Sequence, residues 1–280
     1  MVKHKFKKRS KIKIKPEILE QIKQLSLMNN AFMNLALEDN IPCVEEILRV
    51  ILNKPDLVVK TAQTQRMFQG FKRSVYLDVY AEDSEGTRYN IEIQRSNEGA
   101  APRRMRFHMG MIDTHSLKAG QDFCELPECY VIFITLEDVL KRGKTIYTIH
   151  RYIDGDFEAF DDGSHMIYIN GAAKDDGTEL WKLIHDLHCT KAEEMYLPRL
   201  SERVKFLKEE EKGVKIVSDY FEELQNKAVK KAIQETQKKA IAEKEHMALR
   251  FIELGKLTLE EIAKCSGLTL KKVQMLAKTL

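Results

Sequence analysis

The feature that most limits what this chain can become is a pair of alternating runs, SVYLDVYA (74–81) and RYNIEIQ (88–94), joined by the charged turn EDSEGT. Successive side chains of a strand point to opposite faces, so runs of period two read as half-buried strands. Gly86 supplies the positive φ that a tight turn uses. With the turn centred near Glu85, Val79 faces Ile91, Leu77 faces Ile93 and Asp78 faces Glu92. This register predicts Val75, Leu77, Val79, Ile91 and Ile93 on one face, toward a core. It puts Asp78, Glu92 and Gln94 on the other.

Directly opposed side chains have Cβ atoms about 4.5–5.5 Å apart, so this register presses two carboxylates together. Without compensation the pair is repulsive and one acid has its pKa raised. A divalent cation resolves the conflict, because magnesium takes hard oxygen ligands, commonly carboxylates with waters and a substrate phosphate. The carbonyl of Ile93 is a further candidate ligand, and Gln94 is within reach of a water or phosphate oxygen. The plain alternative is an amphipathic hairpin with a solvated acidic face, since D-x13-E-x-Q is a loose pattern by itself.

Around this hairpin the chain reads as mixed α/β. Pro16 to Leu37 has helical character, and Pro42 opens a second helix in which Val44, Ile47, Leu48 and Ile51 share a face. A helix over about 100–118 leads to a third β-type run, CYVIFITL (129–136). Further runs follow at TIYTIHRY (145–152) and HMIYIN (165–170). The order strand, strand, helix, strand belongs to the α/β class. From Glu179 onward strand signals vanish, and Leu200, Val204, Leu207, Val214, Val217, Phe221, Leu224 and Ala228 mark a helical stripe. That stripe suits a hairpin or stalk with a solvated face, or a coiled-coil element joining two copies into a homodimer.

Charge and cysteine usage narrow the class further. Residues 1–15 hold eight Lys/Arg and no acid, in a chain whose net charge is only +3. Such a block is expected to be a disordered arm, either neutralising phosphates or merely solubilising. Cys43, Cys124, Cys129, Cys189 and Cys265 form no CxxC pair, against a disulfide framework or structural zinc. His185, His188 and Cys189 lie close in sequence, but one helical turn supplies no fourth ligand. No apolar run approaches the roughly 20 residues of a membrane span, and the basic start is not followed by the apolar stretch of a secretory signal. A cytoplasmic location is the expectation.

The run LDVYAEDSEGTRYNIEIQRS resembles the core of the PD-(D/E)XK nuclease superfamily, in its Rpn-like branch of recombination-promoting nucleases and transposase-like proteins. NNAFMNLALEDN with VEEILRVIL is similar to that branch's N-terminal helical segment. PRRMRFHMGMIDTHSLKAGQDFCELPECYVIFIT is similar to its following helix and core strand. The resemblance covers residues 29–170 well and the helical tail loosely. It implies a restriction-endonuclease-like fold, a central mixed sheet flanked by helices, with an all-helical C-terminal region. The segments expected are the arm (1–15), a nuclease-like core (16–175), a helical stalk or hairpin (176–250) and a C-terminal unit (251–280).

Carried over position by position, the resemblance implies that Asp78 and Glu92 hold Mg²⁺, for which Mn²⁺ can substitute, with Gln94 where the superfamily has lysine. Glu46 matches a helix-borne acid that the superfamily often adds, with Glu45 its rival. Arg104 and Arg106 match basic positions on the following helix. Arg104 and His108, four apart, share a face, and with Arg95 they are the expected phosphate contacts. The implied reaction is metal-assisted hydrolysis of DNA phosphodiester bonds, in recombination or transposon-like mobility. A DNA-binding or assembly protein that kept the fold and lost efficient cleavage is the main alternative, and another phosphoester substrate is a third. At the C-terminus, Thr258-x-x-Glu261 forms a capping box and Ser266-Gly267 a break before a helix starting near Thr269. Two short helices around a glycine turn resemble a DNA-reading helix-turn-helix, although such hairpins also pack or dimerise.

Overall fold

The structure, a computed structural model, describes residues 15–94, 97–155 and 157–279. Residues 1–14 of the basic arm and Arg95 therefore lie outside the described residues. The chain divides into two units at Asp219/Tyr220.

In the first unit, α1 (Pro16–Lys23) begins with a proline, whose missing N–H costs nothing in a first turn. The single helix expected over 16–37 is two. Asn29 accepts the N–H of Phe32 at 3.1 Å and caps a separate α2 (Asn30–Leu37), a local bond that competes with helix continuation. Asn40 caps α3 (Ile41–Leu52), which buries Val44, Ile47, Leu48 and Ile51 and stops at left-handed Asn53.

Six strands follow: β1 (Val59–Phe68), β2 (Val75–Asp83), β3 (Arg88–Gln94), β4 (Cys129–Thr135), β5 (Ile146–Ile149) and β6 (Ser164–Asn170). They form one sheet in the order β1-β2-β3-β4-β6-β5. The β1, β2 and β3 pairings are antiparallel, β4 is parallel to β3 and β6, and β5 returns antiparallel to β6. Parallel neighbours need a crossover, and α4 (Pro102–Ser116) supplies it between β3 and β4. Strand β1 had no counterpart among the expected strands. It buries only Val59, Ala62 and Phe68, because an edge strand can present polar residues on much of its surface.

The hairpin register agrees with the sequence reading as far as Val79 opposite Ile91, where the paired ladder ends. The face assignment holds only in part. Val75 and Leu77 join Tyr80 in the apolar cluster that includes Met105, Met109 and Ile112 of α4. Strict alternation would separate Leu77 from Tyr80, so it slips at Asp78. At the same level of β1, between the pairs Thr64/Val79 and Arg66/Leu77, Gln65 has a left-handed φ of 51°. Nor is the acidic face solvated: Glu92 is fully buried and Asp78 nearly so.

Helices α5 (Glu179–His188) and α6 (Pro198–Glu209) pack against α3. The long α7 (Glu211–Leu254) starts in the first unit and continues into the second. Its first turn depends on Gly213, where an added Cβ would meet the Phe206 carbonyl oxygen at 1.9 Å.

In the second unit, α8 (Leu259–Ser266) and α9 (Leu270–Ala277) close on α7 through Ala248, Ile262 and Val273. The capping box of Thr258 and Glu261 is formed, and Gly267 ends α8 with a left-handed φ of 65°. Along α7, Val229, Ile233 and Ile241 are exposed. No helix among the described residues is long and apolar enough to cross a membrane.

Candidate active site

Three elements converge where the β2–β3 ladder stops. Glu92, near the end of β3, turns its carboxylate toward β2, and its Oε1 accepts the backbone N–H of Asp78 at 3.1 Å. A side-chain oxygen thus lies where a sheet would offer a backbone carbonyl. Its Oε2 accepts from Gln94 Nε2 at 3.2 Å and from Arg104 at 3.1 Å. His108 Nδ1 stands 3.4 Å from Oε1. Helix α4 brings Arg104 and His108 in together because residues four apart lie one above the other. The guanidinium of Arg104 also donates to Gln94 Oε1 at 2.9 Å, to the Gly99 carbonyl at 3.2 Å and to His108 Nε2 at 3.3 Å. His108 Nε2 accepts this bond, and its Nδ1 is the ring nitrogen that faces Glu92. Asn90 lies within 3.1 Å of the same Nδ1.

Asp78 is served differently. Its Oδ1 accepts from Gln65 Nε2 at 3.0 Å, whereas Oδ2 is buried with no hydrogen-bond partner among the described residues. Burial first, and the charge of Glu92 second, push the Asp78 carboxyl up from its ordinary 3.8 to about 7. The Gln65 amide, the Ile93 N–H and Arg104 work in the opposite direction. A strand residue directs its N–H and its C=O toward the same neighbour, so the Ile93 carbonyl also faces the Asp78 side.

This donor set fits a hard divalent cation. Asp78 Oδ2, the Glu92 carboxylate and the Ile93 carbonyl are oxygen donors of the kind magnesium or manganese takes. A bare buried carboxylate oxygen is costly unless something positive reaches it. Arg104 now offsets the charge of Glu92, and with its side chain 40% exposed it has space to move toward solvent.

The sequence readings sort unevenly on this geometry. Asp78, Glu92, Gln94, Arg104 and His108 come together. Glu46 does not: its oxygens accept the N–H groups of Arg199 and Leu200 at 3.3 and 3.1 Å, capping α6. Glu45 is taken by the Val59 N–H and by Arg49. Arg106 is exposed on α4, two residues from Arg104 and so about 200° around the helix. Three residues escaped the sequence reading. Gln65 lies on the unrecognised β1. Arg103 is one residue from a singled-out neighbour. Gly99 lets the backbone approach so closely that a Cβ there would meet Gln94 Oε1 at 2.2 Å.

The other metal-like group, His185, Asp186 and Cys189, has its ligand atoms within 4.8 Å of one another. Asp186, however, accepts the N–H groups of Tyr196 and Leu197, and His188 turns to the Gly171 carbonyl. Burial pushes the Cys189 thiol up to about 11, away from the thiolate that binds metal. The group is structural packing around the α5 end.

Comparison with curated proteins and with solved structures gives no match. A family model described as PD-(D/E)XK nuclease family transposase matches residues 32–250, from α2 through nearly all of α7. That span takes in both carboxylates, the helix that covers them and every strand of the sheet, and the chain belongs to the PD-(D/E)XK nuclease family transposases.

Proposed function

We propose that the chain is a divalent-metal-dependent DNA endonuclease that hydrolyses phosphodiester bonds at the Asp78–Glu92 pair, in recombination or transposon-like mobility. The observation that carries this reading is the bare, buried Oδ2 of Asp78 beside a fully buried Glu92. Asp78, Glu92 and the Ile93 carbonyl would hold Mg²⁺, with Mn²⁺ as substitute. When bound, such an ion lowers the pKa of its water and polarises a phosphoryl oxygen.

The chain's own groups do the rest. Gln94, tethered to Glu92 and Arg104, orients a water through its amide but brings no charge to the phosphate. Arg104 supplies that charge: released from Glu92, its guanidinium is close enough to offset negative charge developing on the phosphate. His108, with Nδ1 3.4 Å from Oε1, lines the inner side of Glu92. The basic arm adds salt-sensitive affinity for DNA. In the C-terminal unit, Lys271, Gln274 and Met275 of α9 form one exposed face with its C-cap residue Lys278. Their i, i+3, i+4, i+7 spacing suits a helix that lies against DNA.

A second reading, a DNA-binding protein with little cleavage, is favoured by one observation: Gln94 where the superfamily has lysine. Supercoiled plasmid separates the two. The full chain with Mg²⁺ or Mn²⁺ is expected to nick it, and Asp78→Ala or EDTA to abolish nicking. DNA binding without nicking at any metal concentration contradicts the nuclease reading and supports the second.

A further inference from the structure

Helix α4 and the start of β2 enclose a groove of about 670 Å³ that opens directly beside the acidic pair, since Arg104 and His108 line it. Its other walls include Arg73, Arg103, Tyr76 and Phe107, and no acidic residue lines it. The volume lies in the range of about 300–1,000 Å³ usual for ligand clefts. Arg104 is paired with Glu92, but Arg73 and Arg103 form no ion pair among the described residues, and two such cations in one groove favour an anionic ligand.

The aromatic residues narrow what that anion is. Tyr76 is 58% exposed and Phe107 40% exposed, and both line the groove. The loop between β1 and β2 that carries Arg73 also carries Lys72 and Phe71, and the Phe71 ring is fully exposed. Arginines alone would suit the phosphates of a duplex. Arginines alternating with exposed rings suit unpaired nucleotides, because each base then stacks on a ring while its phosphate meets a cation. A paired base in a duplex keeps its faces in the helical stack and has none to offer.

We infer that this groove binds a single-stranded DNA segment next to the scissile phosphate, so that the preferred substrate is an unpaired strand, whether at a junction, at an overhang or where negative supercoiling opens a plasmid, rather than relaxed continuous duplex. The inference rests on the nuclease reading and names its substrate class. Tyr76 and Phe107 serve as stacking platforms, and Arg73 and Arg103 hold the phosphates that follow.

The test is fluorescence polarisation of the full chain in EDTA, where no cleavage occurs. The probes are a labelled single strand, a blunt duplex and the same duplex with an unpaired overhang. The overhang is expected to bind more tightly than the blunt duplex. Phe107→Leu and Tyr76→Leu should each weaken overhang binding about tenfold while leaving blunt-duplex binding unchanged. Tyr76→Phe, which keeps the ring, should bind as wild type, showing that the ring and not the hydroxyl meets the base. Arg73→Gln should lower the salt dependence by about one phosphate contact. Equal affinity for blunt duplex and overhang, or aromatic variants that bind the overhang as wild type, overturns the inference. Because binding is read without metal, these outcomes are independent of plasmid nicking. Nicking with ring-independent binding sinks this inference alone, and ring-dependent binding without nicking sinks the nuclease reading alone.

Discussion

A buried carboxylate with one oxygen bonded and the other bare is an uncomfortable group, and Asp78 is in that position. Desolvation and the adjacent Glu92 favour its protonated form, so its folded pKa lies above its unfolded one. The sign follows directly. The stability it contributes is full below about pH 4 and is lost as pH rises through about 7. In EDTA, Asp78→Asn, which keeps the acceptor for Gln65 but cannot ionise, should gain on wild type as pH rises from 5 to 8. The gain is on the order of 1–3 kcal/mol in urea unfolding. Saturating Mg²⁺ should cancel it, because the ion stabilises the charged form only in wild type. Parallel pH profiles for the two proteins would show that Asp78 does not titrate in this way. Asp78, Glu92 and Gln94 were legible because hairpin register fixes neighbours two strands wide. Gln65 and Gly99 were not, since a left-handed strand residue and a close backbone approach leave no periodic trace.

At the scale of elements, the end of α3 and the start of α6 are joined by a single side chain. Helix α6 has Leu197 at its N-cap, which offers no oxygen, and Glu46 reaches across to accept two of its first N–H groups. Glu46→Ala should therefore cost about 1 kcal/mol of unfolding free energy and leave metal affinity unchanged. Loss of metal binding with intact stability would instead restore Glu46 to the active site. Sequence could place an acid on α3 but not say which neighbour it meets, because that neighbour lies over 150 residues away. The hairpin, the α4 crossover and the Thr258 capping box all carry local signals and were readable. Strand β1 was not, because its mostly exposed surface suppresses the alternation that marks a strand. The break between α1 and α2 depended on one asparagine cap inside an otherwise helical composition.

For the whole molecule, β2 and β3 bring the two acids together and α4 covers them, all within the span that the family model matches. The modest net charge of +3 hid how cations are distributed. Arg73 is far in sequence from the adjacent Arg103 and Arg104, and the three gather only when the start of β2 meets α4. The C-terminal unit owes its readability to short-range capping and glycine signals, whereas the exposed middle of α7 carries little pattern of any kind.

The central claim is that Asp78 and Glu92 form one cation site whose occupancy competes with a proton on Asp78. Calorimetric titration of the full chain with Mn²⁺ at pH 6 and pH 8, beside Asp78→Asn, tests it most directly. The account predicts one bound ion per chain in wild type, with higher affinity at pH 8 and proton release at pH 6 that fades by pH 8. It predicts no such binding in Asp78→Asn. Mn²⁺ binding that is indifferent to pH and survives Asp78→Asn would contradict it.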